Sequence, residues 1–510
     1  MIVETVIASL VPAYSQTLPQ SADYVRILPE IVLSIFGMIV MLLEPLLDEK
    51  AGRKILGLIA LVGTLAGVGA TWFMAHAPGL AFWNMVQVNE FSVFFHILII
   101  AITGIVILSS YEYMAVQRIR AGEYYALLLF GAVGMALMTS AVELVLIFIA
   151  LEISSISSYV LTGFRRHEAA SAEGSLKYFL LGSFATAFFL YGVAMMFGAT
   201  GSTNIDQIGR ALQTTRIPLL AFVAVAFMFV GLGFKVAAAP FHVWTPDVYE
   251  GAPAPIVGLM STAPKAAAFA VLLRIVFLIN VPGTIWLIWL AAALSMTLGN
   301  LGALVQNNVK RLLAYSSIAH AGYTLVAFAA APVLGISAAM FYAAAYAAMN
   351  LGAFAVVSHF ANAGERYVSL EDYEGLGRSS PLLAATLTIF LLSLIGIPMT
   401  GGFFAKFYVF SAAVKDNLIW LTIIGVLNSG VGAYYYLRVI VVMYMRESRK
   451  EVPVSRVPVA LGLALISCVA ATVFLGVFPD RVLQYAQNSA RQMVGQPRGD
   501  TPVSALHYPF

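Results

Sequence analysis

Three lysines and one glutamate interrupt stretches that are otherwise apolar enough to cross a membrane. Lys235 lies in GLGFKVAAAPFHVW, Lys265 in STAPKAAAFAVLLR, Lys406 in GGFFAKFYVF and Glu152 in LIFIALEISSISSYV. An ammonium group at the centre of a bilayer costs about 2.5–3.5 kcal/mol. The chain can carry three of them only if they face water or protein partners. Because a lysine removed from water releases its proton more readily, the pattern predicts proton handling inside a membrane.

Each of these residues also has a plainer interpretation. Glu152 could be a structural hydrogen-bonding carboxylate, and Lys265 a purely structural charge. Lys235 and Lys406 lie close to helix-breaking residues, so their long side chains could instead extend to the membrane surface. The serines that follow Glu152 could solvate its carboxylate or hold waters for proton transfer; they are Ser154, Ser155, Ser157 and Ser158.

Histidines are the other candidates for proton transfer, because imidazole titrates near neutral pH. His320 lies one helical turn from Ser316 and Ser317, so it is a candidate relay, although a core histidine is nearly as good an interpretation. His242 follows a predicted helix break and could gate a path or bind the loop. For His359, near a helix end, a structural role is favoured.

The chain offers little for metals or redox cofactors. Its histidines lack metal-ligand spacing, and its single cysteine, Cys468, excludes an intrachain disulfide and a cysteine-ligated cluster. No glycine-rich nucleotide fingerprint follows a strand pattern. Arg274 and Arg438 fall inside apolar segments and are predicted to be fixed charges or lipid contacts, because arginine keeps its proton. We therefore expect no cofactor and no metal on this chain.

The composition is that of a membrane protein. The 510 residues are 61% hydrophobic and 10% charged, whereas soluble domains carry about 25% charged residues. The net charge of +3 gives no indication of nucleic-acid binding. Predicted loops are short, so no separate soluble domain fits between the apolar segments. The sequence predicts an all-α polytopic membrane protein.

About fourteen segments are long and apolar enough to span a bilayer, which requires about 20 residues. They cover residues 25–47, 54–76, 91–113, 122–140, 143–163, 174–199, 217–239, 253–280, 283–305, 311–331, 334–360, 382–412, 417–445 and 457–478. Fifteen lysines and arginines fall in loops after odd-numbered segments and three in loops after even-numbered ones. The positive-inside rule then predicts both termini on the periplasmic side of a bacterial inner membrane.

Two of the segments are interrupted. The seventh runs into AAAPFHVWTPDVYEGAPAP, and the twelfth contains IGIPMTGGFFAKF. Interrupted helices in corresponding places of two halves are typical of inverted-repeat transporters. We therefore expect two inverted five-helix repeats, segments 4–8 and 9–13. The predicted parts are residues 1–121, a three-helix segment; 122–280 and 281–445, the two repeats; and 446–510, a final helix and tail.

Four stretches together resemble one family. They are PFHVWTPDVYEGAPAP at 240–255, STAPKAAAF at 261–269, KRLLAYSSIAHAGY at 310–323 and GGFFAKFYVF at 401–410. They resemble the N-type antiporter-like subunit of respiratory complex I, the proton-translocating NADH:quinone oxidoreductase. The M- and L-type relatives and cation/proton antiporter subunits usually read more like WLPDAxxxAPTPVSA in the first stretch. With the helix plan, the resemblance covers essentially the whole chain.

The resemblance implies specific roles and partners. It implies that Glu152 pairs with Lys235, that Lys265 is a central lysine, and that Lys406 acts toward the far side of the membrane, while His320 remains our candidate relay. NADH, FMN, iron–sulfur clusters and quinone are then expected on partner subunits. The implied neighbours are an M-type antiporter-like subunit, small membrane subunits and lipids.

The predicted function is proton translocation through this Glu/Lys relay, coupled to quinone reduction in partner subunits. The chain would thus be a non-redox subunit of a translocating oxidoreductase. One alternative is a subunit of a multisubunit cation/proton antiporter. Another is a structural spacer of a membrane arm that conducts nothing.

Overall fold

The computed structural model describes residues 18–117, 120–213, 218–361, 363–448 and 456–495. Within these ranges the chain folds into twenty α-helices and one short β-hairpin. The first ten helices are α1 Ser21–Arg26, α2 Leu28–Leu43, α3 Glu49–Ala75, α4 Glu90–Val116, α5 Gly122–Ser140, α6 Leu144–Thr162, α7 Ala169–Thr200, α8 Ile205–Leu212, α9 Pro218–Val236 and α10 Thr245–Gly251.

The other ten helices complete the bundle. They are α11 Ala254–Arg274, α12 Thr284–Leu304, α13 Val309–Phe328, α14 Pro332–Phe360, α15 Leu376–Ser379, α16 Pro381–Ile395, α17 Gly401–Lys415, α18 Ile419–Met445, α19 Val459–Val477 and α20 Pro479–Met493. A π-helical turn, Ile275–Ile279, extends α11. The hairpin pairs β1 Gly79–Ala81 with β2 Val86–Val88 in antiparallel register.

Twelve helices of the described ranges are long and apolar enough to cross a membrane. They are α2, α3, α4, α5, α6, α7, α9, α11, α12, α14, α18 and α19. The prediction of an all-α polytopic membrane protein is confirmed. The other two predicted segments correspond to α13, which carries several polar residues, and to α16 with α17. The count of fourteen, the inverted repeats and the four-part division stay predictions.

Both predicted interruptions are present. The first lies between α9 and α11, where the short α10 occupies part of the gap. The second lies between α16 and α17, so the predicted segment 382–412 is two helices. Gly396 follows α16 with φ of +94°, a left-handed conformation that glycine adopts without steric cost. The backbone groups freed at each break are available to bind polar side chains.

Polar side chains fix where several helices begin. Asn89 accepts a hydrogen bond from the Ser92 amide at 3.0 Å and starts α4. Asn308 accepts from the amides of Lys310 and Arg311 at 2.9 and 3.3 Å and starts α13. These caps satisfy amides that have no partner within the helix. The cap at Asn308 therefore sets the register of α13, which carries His320.

The sequence analysis missed several elements. The hairpin, the short α8 and the amphipathic α20 all lie outside the predicted apolar segments. Helix α20 packs against α14 and α4, although its composition is polar. Hydropathy alone cannot detect such a helix, because only one of its faces is buried.

The predicted orientation rests partly on residues outside the described ranges. Arg118, Arg216, Arg449 and Lys450, which enter the loop count, lie there, as do both ends of the chain, 1–17 and 496–510. The periplasmic position of the termini therefore stays a prediction.

Candidate functional site

Lys235 lies at the last turn of α9, where the first break begins. Its ammonium donates a hydrogen bond to Ser155 Oγ at 3.0 Å and lies 5.9 Å from the centre of the Tyr178 ring. The residue is 4% exposed. The ammonium is thus directed at protein groups and not at the membrane surface.

Glu152 is on α6, three residues before Ser155, so both side chains lie on one helix face. Its Oε1 is buried without a hydrogen-bond partner. Glu152 and Lys235 do not form an ion pair within 4.0 Å. Lys235 is therefore bound to the Ser155 hydroxyl, one helical turn from Glu152, and forms no ion pair with this predicted partner. Of the four serines after Glu152, Ser155 is the one that binds the lysine.

Lys265 is buried in the middle of α11, with 3% of its surface exposed. Its ammonium donates to Ser317 Oγ at 2.7 Å and to the Ser317 carbonyl at 3.1 Å. Ser317 lies on α13, one turn before His320. The contact joins α11, the last helix of the first predicted repeat, to α13, which carries His320.

A cavity of about 10 Å³ lies between Lys265 and His320. This is about the space that one water molecule needs, and the site has the several polar partners that a buried water requires. The Oη of Tyr346, one of its lining residues, is buried without a partner. The residues around it are Thr262, Lys265, Ala266, Phe269, His320, Ala321, Thr324, Tyr342, Ala343 and Tyr346.

His320 is buried and held by two tyrosines. Its Nδ1 lies 2.7 Å from Tyr342 Oη, and its Nε2 lies 3.3 Å from Tyr436 Oη. Tyr436 also hydrogen-bonds Ser316. Because each partner is a hydroxyl that can donate or accept, either ring nitrogen can carry the proton. This arrangement suits proton transfer, and it also satisfies the ring as a core residue.

Lys406 lies in α17, just after the second break, and is 8% exposed. Its ammonium donates to the carbonyls of Leu394 and Ile395 at 3.1 and 2.9 Å, and to Ser429 Oγ at 2.8 Å. It also lies 4.8 Å from the centre of the Tyr323 ring. The carbonyls are those left free where α16 ends, so the break itself forms the lysine site.

Three other predicted positions are near the breaks or helix ends. His242 lies within the first break, between α9 and α10, and its buried Nδ1 has no hydrogen-bond partner. His359 lies in the last turn of α14. Arg438 donates to the carbonyls of Leu304 and Gln306, where α12 ends. Arg438 therefore contacts protein backbone at a helix end.

A buried charge cluster at the first break was missed by the sequence analysis. Glu365 accepts hydrogen bonds from Lys310 Nζ at 2.6 Å and from Tyr113 Oη at 2.8 Å. Arg165 lies 3.4 Å from the same carboxylate. The sequence signal was the Lys310-Arg311 pair at the start of an apolar segment, which we counted only as loop charge.

The cluster also binds the backbone of the break. Lys310 donates to the carbonyls of Glu250 and Ala252 at 2.9 and 2.7 Å, and Glu365 accepts from the Ala254 amide at 2.7 Å. A cation thus faces the end of α10 and an anion the start of α11, as the helix dipoles favour. These charges fix the position of α11 and hence of Lys265.

Metal ligands are not clustered in the part of the chain that the structure describes. No group of three or more His, Cys, Asp or Glu side chains there could hold a metal ion. Cys468 is a buried free thiol. The described residues offer acid–base groups and hydroxyls, which can carry protons.

The chain is similar to known proteins along almost its whole length. Residues 141–432 match a family model described as NADH:quinone oxidoreductase/Mrp antiporter, transmembrane. The chain is 67% identical over 481 residues to NADH-quinone oxidoreductase subunit N 2 of Koribacter versatilis, an alignment that covers 92% of this chain and 98% of the relative.

Solved structures share the fold. A chain of respiratory complex I from Thermus thermophilus with bound aureothin is 36% identical, with a TM-score of 0.77, over 89% of this chain and 98% of that one. A chain of the Mrp complex from Dietzia sp. DQ12-45-1b has a TM-score of 0.79 at 20% identity, over 91% of this chain and 97% of that one. The second likeness is one of fold alone.

Proposed function

The chain belongs to the family of NADH-quinone oxidoreductase N subunits, and we propose that it translocates protons in the membrane arm of such an enzyme. The observation that carries the proposal is a row of three buried lysines, each bound to a serine hydroxyl. The pairs are Lys235 with Ser155, Lys265 with Ser317, and Lys406 with Ser429. Three ammonium groups at this depth are costly, and a proton path is a function that requires them.

The first lysine is the one whose proton affinity can be switched. Lys235 is bound to Ser155, one helical turn from Glu152, whose Oε1 is buried and unpartnered. An ionised Glu152 favours a charged Lys235, and a protonated Glu152 removes that stabilisation. Protonation of Glu152 therefore drives Lys235 to release its proton.

The proton then moves sideways along the row. Lys265 lies across a water-sized cavity from His320. One water there would bridge the ammonium and the imidazole, and the Tyr342 and Tyr436 hydroxyls continue the path beyond His320. Lys406 is the last member, over the ring of Tyr323. We infer the order Glu152/Lys235, Lys265, His320, Lys406.

The chain acts as a non-redox subunit in this proposal. Moving one charge against the membrane potential requires about 2.3 kcal/mol per 100 mV. That energy comes from partner subunits, which carry NADH, FMN, iron–sulfur clusters and quinone. An M-type antiporter-like subunit and small membrane subunits would be the neighbours, in a bacterial inner membrane with both termini of this chain on the periplasmic side.

A cation/proton antiporter subunit is the second candidate, and the likeness to the Mrp complex favours it only through the fold. A structural spacer that conducts no protons is the third candidate. Transport of sodium by vesicles without quinone turnover would indicate the antiporter. Unchanged pumping after all three lysines are neutralised would indicate the spacer.

The test is a lysine substitution in the assembled enzyme. Lys235→Met should abolish proton pumping in reconstituted vesicles at a matched rate of NADH oxidation. The control is Lys415→Met, which removes an exposed lysine at the end of α17 and should leave pumping unchanged. Full pumping by Lys235→Met would contradict the assignment.

A further inference from the structure

A second pair of buried ionisable groups lies outside the lysine row. Glu30, in the first turn of α2, and His96, near the start of α4, are 5% and 0% exposed. Glu30 Oε1 lies 2.9 Å from His96 Nε2. Both residues are near the hairpin end of the bundle, opposite the charge cluster around Glu365. Neither residue takes part in the mechanism described above.

The hydrogen bonds of His96 determine how many protons the pair holds. Nδ1 lies 2.7 Å from the Ser92 carbonyl oxygen, which can only accept, so Nδ1 carries a hydrogen. The contact between Nε2 and Oε1 then needs one more proton, either on the imidazole or on the carboxyl group. Without that proton a nitrogen lone pair would face a carboxylate. The pair therefore binds one exchangeable proton in this geometry.

The groups around the pair leave one acceptor atom available for proton exchange with water. Glu30 Oε2 is buried without a hydrogen-bond partner, so it can accept a bond from an entering water. The Thr139 hydroxyl, 3.1 Å from His96 Nδ1, donates to its own helix at Ala136 and so accepts from the ring. The neutral groups thus hold the imidazole in one orientation and leave one carboxylate oxygen open.

Charged and titratable groups of the neighbouring elements complete the site. Arg274 of α11 donates to the Thr139 carbonyl at 2.8 Å and is 1% exposed. Asp206 of α8 acts electrostatically on Arg274. His76 of α3 is exposed and binds its own helix at Trp72.

Two further elements pack against α4. From α20, the Tyr485 hydroxyl binds the Glu90 carbonyl. The titratable group of α19 is the buried Cys468. Arg274 is thus a buried cation joined to the pair through Thr139.

We propose that Glu30 and His96 form a proton-binding site separate from the lysine row, at the hairpin end of the N-terminal helices. The site takes one proton, exchanged with water through Glu30 Oε2. Its ligand is the proton itself, and the two residues share it as a unit. A pair built only for packing would not titrate together.

The test is an infrared pH titration of the whole purified assembly. Wild type is compared with Glu30→Gln and His96→Gln, after co-purification confirms that each variant assembles. We expect the imidazole and carboxyl bands to change together in wild type, with one proton exchanged. Each single substitution should remove that joint transition. Glu123→Gln, which removes an exposed carboxylate of α5, should remove only an ordinary surface transition.

An imidazole transition that is unchanged in Glu30→Gln would overturn the proposal. If that variant does not assemble, Thr139→Val tests the proposed site instead, because this substitution removes a hydroxyl and no titratable group. It should shift the midpoint of the joint transition and keep its amplitude. Identical titrations of Thr139→Val and wild type would also contradict the site.

Discussion

The lysines at the two helix breaks are stabilised in different ways. Lys235 faces a hydroxyl with a carboxylate one helical turn away, whereas Lys406 faces two backbone carbonyls and a hydroxyl. A carboxylate can gain or lose a proton, so it can change the proton affinity of its neighbour. Backbone carbonyls cannot. The comparison suggests that the first lysine is switched and the last one has a fixed affinity.

The two breaks also differ in which groups bind their free backbone atoms. Around the first, Lys310 and Glu365 hold the backbone with buried charges. At the second, Lys406 itself binds the free carbonyls, and Thr400 Oγ1 donates to the Ile397 carbonyl. The first lysine can therefore change its charge without releasing the backbone around it. At the second break, loss of the ammonium proton would leave carbonyls unpaired.

The largest effect is expected from Glu152→Gln compared with Ser429→Ala. Glu152→Gln removes the switch, and acid–base groups contribute factors of about 10²–10⁴. Pumping per NADH oxidised should therefore fall about a hundredfold. Ser429→Ala removes a hydrogen bond from the charged ammonium, a kind of bond that contributes about 1.5–3 kcal/mol. Both carbonyls stay on Lys406 and offset part of the loss, so pumping should fall about tenfold or less. Equal losses in the two variants would remove the distinction between the regions.

Gly402→Ala tests the close packing at the second break. A Cβ at position 402 would clash with the Ser393 carbonyl oxygen, whereas nothing lies within 4 Å of a Cβ at Gly430. Overpacking typically costs about 1–3 kcal/mol. Assembled protein should thus drop about tenfold for Gly402→Ala, measured by co-purification. Gly430→Ala is the matched control, and a similar yield for both would show that the break is not rigid.

Ser155→Ala should have a smaller effect than Glu152→Gln. It removes the hydroxyl that binds Lys235, and a hydrogen bond to a charged group contributes about 1.5–3 kcal/mol. Part of this free energy is regained if Glu152 moves closer to Lys235, so we expect pumping to fall about tenfold. Ser155→Thr keeps the hydroxyl and should restore most of the rate. Failure of that rescue would indicate a packing role for Ser155.

The smallest effect concerns acid pH at the first break. The hydrogen bond from Lys177, together with Arg311, holds the pKa of Asp247 below its ordinary value of 3.8. A lowered pKa stabilises the fold above that value, and the contribution is lost as the pH falls through the lower, folded pKa. Thermal unfolding of the assembly should therefore be unaffected near neutral pH and show a slight Asp247-dependent destabilisation below about pH 4. An Asp247→Asn variant with an unchanged acid profile would contradict this.

Several features of the site were accessible to sequence reasoning because they depend on local chemistry. Lys235, Lys265 and Lys406 could be identified as candidates from the sequence alone, because a charged side chain in hydrocarbon has a high free-energy cost. Proline and glycine located both helix breaks. The role of Glu365 was not accessible, because its partners, Lys310 and Arg165, come from distant parts of the chain. The bond from Ser155 to Lys235 also crosses 80 positions.

The sequence by itself determined the membrane class and the family, and it supplied the candidate acid–base residues. Composition, hydropathy and short motifs carry that information, because each is a property of neighbouring residues. Only the tertiary structure decided which hydroxyl meets each lysine, that Glu152 and Lys235 form no ion pair, and that Glu30 lies within hydrogen-bond distance of His96. Such contacts arise from the packing of helices far apart in the chain, and no local pattern specifies them.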